Sequence, residues 1–280
     1  MMKKLRILLI TACLCACSPK EKTQTENNTI RVGTIAGPET SLMEVAAATA
    51  QKKYGLTVVI VTFNDYIQPN IALAEGSLDA NMFQHKPYLD EQIRIGHYAL
   101  TPVAVLFTYP MGIYSKKITS LAQLNHGGLV GIPNDPTNEG RALLLLQQAN
   151  IIQLKPTAGF TATPADIILN PRKLRFKELD AALLPRALDN LDIAIINTTY
   201  AAAAKLSPAK DALYLESKKS PYANILVVRT QDATKKTVLE LIDALHSDEV
   251  VKKAQELFPG GAAVPAWDNK TLTVSDTHAQ

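Results

Sequence analysis

IRVGTIAGPETSLMEVAAATAQKKYGLTVVIVTFNDYIQPNIALAEGSLDANMF, residues 30–83, is the stretch that decides the fold. IRVGTIA reads as a strand and Gly37-Pro38 as a turn. Glu39 to Tyr54 reads as a helix closed by Gly55 at its C′ position, where glycine accepts the left-handed backbone without strain. TVVIVTF (57–63) is a second strand, followed by a loop at Asn64 to Gln68. A helix from Pro69 to Glu75 is stopped by Gly76, and DANMF forms a third strand ending at Phe83. Pro69 suits the first turn of its helix, where a missing N–H costs nothing. The order β-α-β-α-β is the pattern of a parallel sheet with helices on its faces.

Outward from this core the alternation continues. A helix is expected from Lys86 to Gly96, then two apolar runs, Pro102 to Thr108 and Met111 to Tyr114, parted by Tyr109-Pro110. A second alternating series begins at Leu129: strand 129–132, helix 138–149, strand 173–177, a helical turn at Pro185 to Leu188, strand 191–196, helix 199–206 and strand 212–215. ILVVR (225–229) is a last strand before two amphipathic helices, Thr234 to Leu245 and Asp248 to Phe258. In the latter, Val250, Val251, Ala254 and Leu257 fall on one face as a core stripe. Two series predict two Rossmann-like α/β lobes, lobe 1 at 30–108 plus 225–268 and lobe 2 at 109–224, with a loose tail at 269–280. The extended stretches 102–115 and 220–229 read as two crossing strands, a hinge pair with a ligand cleft between the lobes.

The amino terminus belongs to no lobe. Lys3, Lys4 and Arg6 precede the apolar run Ile7 to Leu14, too short to span a bilayer, which takes roughly 20 apolar residues. Residues 1–16 read as a signal peptide. All three cysteines, Cys13, Cys15 and Cys17, lie here, so the body has neither a disulfide nor a thiolate metal site. Leu14-Cys15-Ala16-Cys17 is similar to a lipoprotein lipobox, which makes Cys17 the lipidated first residue; Ile10-Thr11-Ala12-Cys13 is a weaker second match. Residues 17–29 then form a polar tether, and a dozen such residues span about 20 Å as a coil. The three basic residues of the signal account for the whole formal charge of +3, so the rest of the chain is balanced. Nucleic-acid binding, which depends on neutralising phosphates, loses its support.

Candidate site residues gather where strands end. Tyr66 follows the strand ending at Phe63, and Phe83, His85 and Tyr88 follow the third strand. Asn138 and Arg141 follow Pro133 in GLVGIPNDPTNEGRALLLLQQAN (128–150), a strand-to-helix junction that offers free N–H groups and a guanidinium to an anion. Asn197 follows the strand ending at Ile196, and Asn224 stands at the second crossing. Together they suit a zwitterion: Arg141 for a carboxylate, the Asn side chains for both charged groups, and the aromatic set for an apolar, sulfur-tolerant side chain. A plainer reading competes at each position, with Asp135 or Thr137 as a helix cap, Arg141 on a solvated face and His85 as a structural histidine. No GxSxG, GxGxxG, P-loop or HExxH motif is present, and no second metal ligand stands at a usable spacing from His85, so neither enzyme, cofactor nor metal is expected.

The strings FNDYIQPNIALAEGSLDANMFQHKPYLD (63–90), GIPNDPTNEGRALLLLQ (131–147), LPRALDNLDIAIINTTYA (184–201) and SPYANILVVR (220–229) resemble the signature blocks of the NlpA/MetQ lipoproteins, with the resemblance running from about Ile30 to Trp267. It implies a periplasmic-binding-protein fold of type II that closes on L-methionine, or on D-methionine or short methionine peptides. It implies delivery to the permease of an ABC importer with its ATPase, from a lipid-anchored, monomeric protein in the cell envelope facing the periplasm. Carried over, Tyr66, Phe83, His85 and Tyr88 wall the side chain, Arg141 grips the carboxylate, and Asn138, Asn197 and Asn224 supply polar contacts. Thr198 and Thr199 depart from the further Asn residues that many members carry there. A surface adhesin or interaction lipoprotein on the same fold is the alternative.

Overall fold

The computed structural model describes residues 28–217 and 220–267. The signal peptide, Cys17, almost all of the tether and the tail expected at 269–280 lie outside the described residues. Among the described residues, no helix is long and apolar enough to cross a membrane.

The first series folds as expected: β1 (Thr29–Ile35), α1 (Pro38–Tyr54), β2 (Thr57–Phe63), α2 (Gln68–Ala74), β3 (Ala80–His85), α3 (Lys86–Gly96) and β4 (Leu100–Thr108). Pro38 opens α1, and Gly55 ends it at φ 65, its N–H donating to the Ala50 and Gln51 carbonyls. The chain crosses at Tyr109–Met111 into β5 (Gly112–Tyr114), β6 (Leu129–Pro133), α4 (Pro136–Gln148), β7 (Gln153–Leu154), β8 (Ile167–Leu169), β9 (Arg175–Leu179), α5 (Leu184–Ala187), β10 (Ile193–Ile196), α6 (Thr198–Ala203), α7 (Pro208–Asp211) and β11 (Tyr214–Leu215). It returns as β12 (Ala223–Arg229), α8 (Lys236–Leu245), α9 (Asp248–Leu257) and β13 (Val264–Pro265).

Two sheets result. One has the order β13-β4-β12-β3-β1-β2, the other β11-β5-β10-β6-β9. In the first, β1 runs parallel to β2 and β3, while β12 lies antiparallel between β3 and β4. In the second, β6 is parallel to both β10 and β9, and β5 is antiparallel to β10. The chain is therefore two α/β lobes joined by two crossings. Each lobe has its own apolar core, Val32, Leu42, Leu226 and Leu241 in the first and Ile132, Leu143, Ile193 and Ile195 in the second. A further cluster joins them, with Ile35, Phe83 and Tyr88 of the first packed with Tyr114, Ile196 and Tyr200 of the second.

The expected element bounds shift in places. The third strand continues through His85 rather than ending at Phe83, because β12 pairs along it as far as Asn224 opposite His85. The strand expected at 173–177 lies at 175–179. Lys173 adopts a left-handed φ of 50 and the Asn170 side chain holds the Leu174 N–H, so the turn consumes the first two residues. The short β7–β8 hairpin and β13 were not expected.

Candidate functional site

All eight residues singled out from the sequence line one small cavity between the lobes. Gln84, Tyr109, Thr198 and Thr199 line it too. Tyr66 and Tyr88 come from loop and helix beside β2 and β3, Phe83 and His85 from β3, and Asn224 from β12. Asn138 and Arg141 come from the first turns of α4, and Asn197 from the residue that precedes α6.

At one end, Arg141 is 4% exposed and already has a partner. Its Nε donates to Glu216 Oε1 at 3.0 Å and its Nη2 to Glu216 Oε2 at 2.5 Å, with a further bond from Nη2 to the Tyr109 carbonyl at 2.9 Å. Glu216 is just as buried, so this is a two-pronged ion pair cut off from water. Its guanidinium also lies 4.3 Å over the Tyr222 ring. Nη1 forms no hydrogen bond among the described residues, and its two N–H groups are what remains for an anion. The guanidinium is thus neither on a solvated face nor an unpaired cation. It is a cation fixed from behind.

Asn138 is the polar hub. Asp135 caps α4, accepting the Asn138 backbone N–H at 3.0 Å, and both its oxygens take the Asn138 Nδ2 group. The cap and the site are therefore the same residues rather than competing readings. With Nδ2 committed to a carboxylate, Asn138 Oδ1 must accept, and it receives Asn197 Nδ2 at 2.8 Å and faces His85 Nε2 at 3.3 Å. His85 Nδ1 accepts the Tyr88 backbone N–H at 3.2 Å, so Nε2 carries the proton. Burial, with the Arg141 charge nearby, pushes the His85 pKa down to about 3, and the ring is neutral at any physiological pH. Asn197 Oδ1 is buried without a donor among the described residues. Such an oxygen is costly unless something donates to it, and an ammonium would. Asn224 Nδ2 donates to the Phe83 carbonyl at 3.2 Å.

Aromatic rings wall the other end. Tyr66 meets Phe83 at 5.8 Å between centroids, Tyr88 at 6.2 Å and Tyr200 at 4.9 Å, and Phe83 meets Tyr88 edge-on at 5.9 Å. The Tyr88 hydroxyl donates to the Tyr66 carbonyl at 2.8 Å, fixing the ring against rotation. Burial holds the Tyr66, Tyr88 and Tyr200 hydroxyls above their usual pKa, so the wall is uncharged.

Sequence reasoning missed Glu216, Tyr222, Tyr109 and Tyr200. Glu216 directly follows β11, so the strand-end rule applied to that short strand would have raised it. Tyr109 and Tyr222 sit in the two crossings, where no periodicity marks them.

A family model described as NlpA lipoprotein matches residues 30–267. A Vibrio cholerae protein named probable D-methionine-binding lipoprotein MetQ is 49% identical over 257 residues, 92% of this chain and 94% of its own. Among solved structures, an ABC transporter periplasmic substrate-binding protein from Coxiella burnetii is similar with a TM-score of 0.82 and 54% identity, covering 85% of this chain and 100% of that one. A nutrient binding protein from Burkholderia cenocepacia bound to methionine is similar with a TM-score of 0.83 and 48% identity, over 85% of this chain and 100% of that one.

Proposed function

Because the chain belongs to the NlpA lipoprotein family, we propose that it is the substrate-binding lipoprotein of an ABC importer, capturing methionine between its lobes and delivering it to a permease driven by an ATPase. One observation carries the reading: a guanidinium, an orphaned amide oxygen and an uncharged aromatic wall face a single interlobe cavity. The α-carboxylate goes to the Nη1 side of Arg141, and the α-ammonium to Asn197 Oδ1. The thioether goes to the ring edges of Tyr66, Phe83 and Tyr88, where sulfur gains roughly 0.3 to 1.5 kcal/mol. The end of the site that takes the side chain is uncharged and calls for no metal. Lipidation of Cys17 would anchor the protein in the cell envelope, facing the periplasm, with the polar tether lifting the lobes off the membrane.

Calorimetry on protein unfolded, stripped and refolded should give tight binding of L-methionine, with D-methionine and a methionine dipeptide as comparisons and lysine and glutamate giving no heat. Absence of binding by either methionine enantiomer at tens of micromolar overturns the reading.

A further inference from the structure

Glu39 stands outside the cavity, and the binding chemistry above does not use it. It lies in the first turn of α1, in the first lobe, and is 1% exposed. Its Oε1 accepts the Thr199 hydroxyl from α6 of the second lobe. Thr199 lines the cavity, and the Tyr66 hydroxyl sits beside the same Thr199 side chain. A chain of contacts thus runs from the ligand wall to a carboxyl that spans the seam between lobes. Glu39 Oε2 is buried and has no donor among the described residues. The titratable side chains that face it are Tyr66 of the first lobe, Tyr109 of the crossing and Tyr200 of α6, all three kept neutral by burial. No charged side chain faces it among the described residues.

A carboxylate with one oxygen bare and no cation nearby is costly to enclose; with a proton on Oε1, shared with the Thr199 hydroxyl, the acid leaves bare only a carbonyl oxygen, at a much lower cost. We propose that Glu39 is a positioning residue that latches the closed lobes through Thr199 in its protonated form, so that closure over the ligand takes up a proton. The inference rests on the interlobe binding site proposed above, but it concerns closure rather than the identity of the ligand. Burial pushes the Glu39 pKa from the ordinary 4.5 up to about 7 in the closed form. When the lobes part, Thr199 and Tyr200 leave and water reaches the carboxyl. A pKa raised in the closed form makes its full contribution to closure below the open-form value, and that contribution is lost as pH rises through about 7.

Methionine affinity should therefore be about tenfold or more tighter at pH 5.5 than at pH 8.0. Over that range the α-amino and α-carboxyl groups of the ligand do not titrate, and His85 stays neutral. Calorimetry in buffers of different ionisation heat should show net proton uptake by the wild-type protein near pH 6.5. Glu39→Gln keeps an acceptor for Thr199 and is neutral throughout, so it should bind with nearly pH-independent affinity and no proton uptake. Glu139 in α4 is also pushed up to about 7, by burial and by Glu178 and Asp135 of its own lobe. Glu139→Gln should leave the pH response in place. Equal wild-type affinity at the two pH values, or a response that survives in Glu39→Gln or vanishes in Glu139→Gln, overturns the latch. Should methionine not bind at all, the functional reading fails on its own, and small-angle scattering of the unliganded protein decides the latch. A radius of gyration that shrinks from pH 8.0 to 5.5 in wild type and not in Glu39→Gln supports it, and the same radius in both overturns it.

Discussion

Arg141 and Glu216 are 75 positions apart and meet as the most enclosed ion pair of the second lobe. Removing either partner alone strands a charge away from water, so Arg141→Ala or Glu216→Ala should cost about 3 to 5 kcal/mol of folding stability, read by urea denaturation. Replacing both by methionine should recover most of that loss while leaving methionine binding abolished, which separates the pair's structural role from its role in binding. In the same experiments Arg141→Ala should weaken methionine binding by about 2 to 5 kcal/mol, and an unchanged affinity would remove Arg141 from the site. Arg141 was legible because a strand-to-helix junction announces an anion site. Glu216 was not, because a lone acid has no spacing, and only the fold brings it behind the guanidinium. The bare oxygen of Asn197 was likewise invisible, since its meaning lies in which donors are absent around it.

At the scale of elements, α4 is set by local chemistry that sequence displays: an Asp cap, Pro136 at the first position and a leucine-rich inner face. Its placement depends on something sequence does not display. A Cβ at Gly140 would stand 2.2 Å from the Phe160 carbonyl oxygen, so the loop after β7 rests on bare helix backbone one residue before Arg141. Gly140→Ala must push the loop or the helix aside. It should cost about 1 to 3 kcal/mol, visible as a lowered Tm in calorimetry, and weaken methionine binding by displacing the guanidinium. The strands that sequence reasoning placed well are long apolar runs, such as β2 and β12. Those it missed, β7, β8 and β13, are two or three residues each, too short for a period to be seen, and exist only because a partner strand is nearby.

For the whole molecule, two lobes and an interlobe cleft followed from two alternating series separated by extended segments, because layered α/β packing has few alternatives. Closure did not follow. The contacts that bridge the lobes, Tyr66 on Tyr200, His85 facing Asn138 and Thr199 on Glu39, join residues 53 to 160 positions apart that no pattern links. A ligand held by both lobes must stabilise the folded chain as a unit. Methionine at a hundredfold excess over its Kd should add about 2.7 kcal/mol, measured as a single shifted unfolding transition. Two transitions, only one of them shifted, would mean that one lobe binds alone.

The position of β12 has a consequence for how such a chain is made. The strand that fills the centre of the first sheet, between β3 and β4, is supplied by residues 223–229, more than a hundred positions after either neighbour. During synthesis the first lobe is translated early yet lacks its middle strand until most of the polypeptide has left the ribosome, and pairings this distant in sequence form slowly. The first sheet can close around its centre only once residues 223–229 are available to pair with β3 and β4.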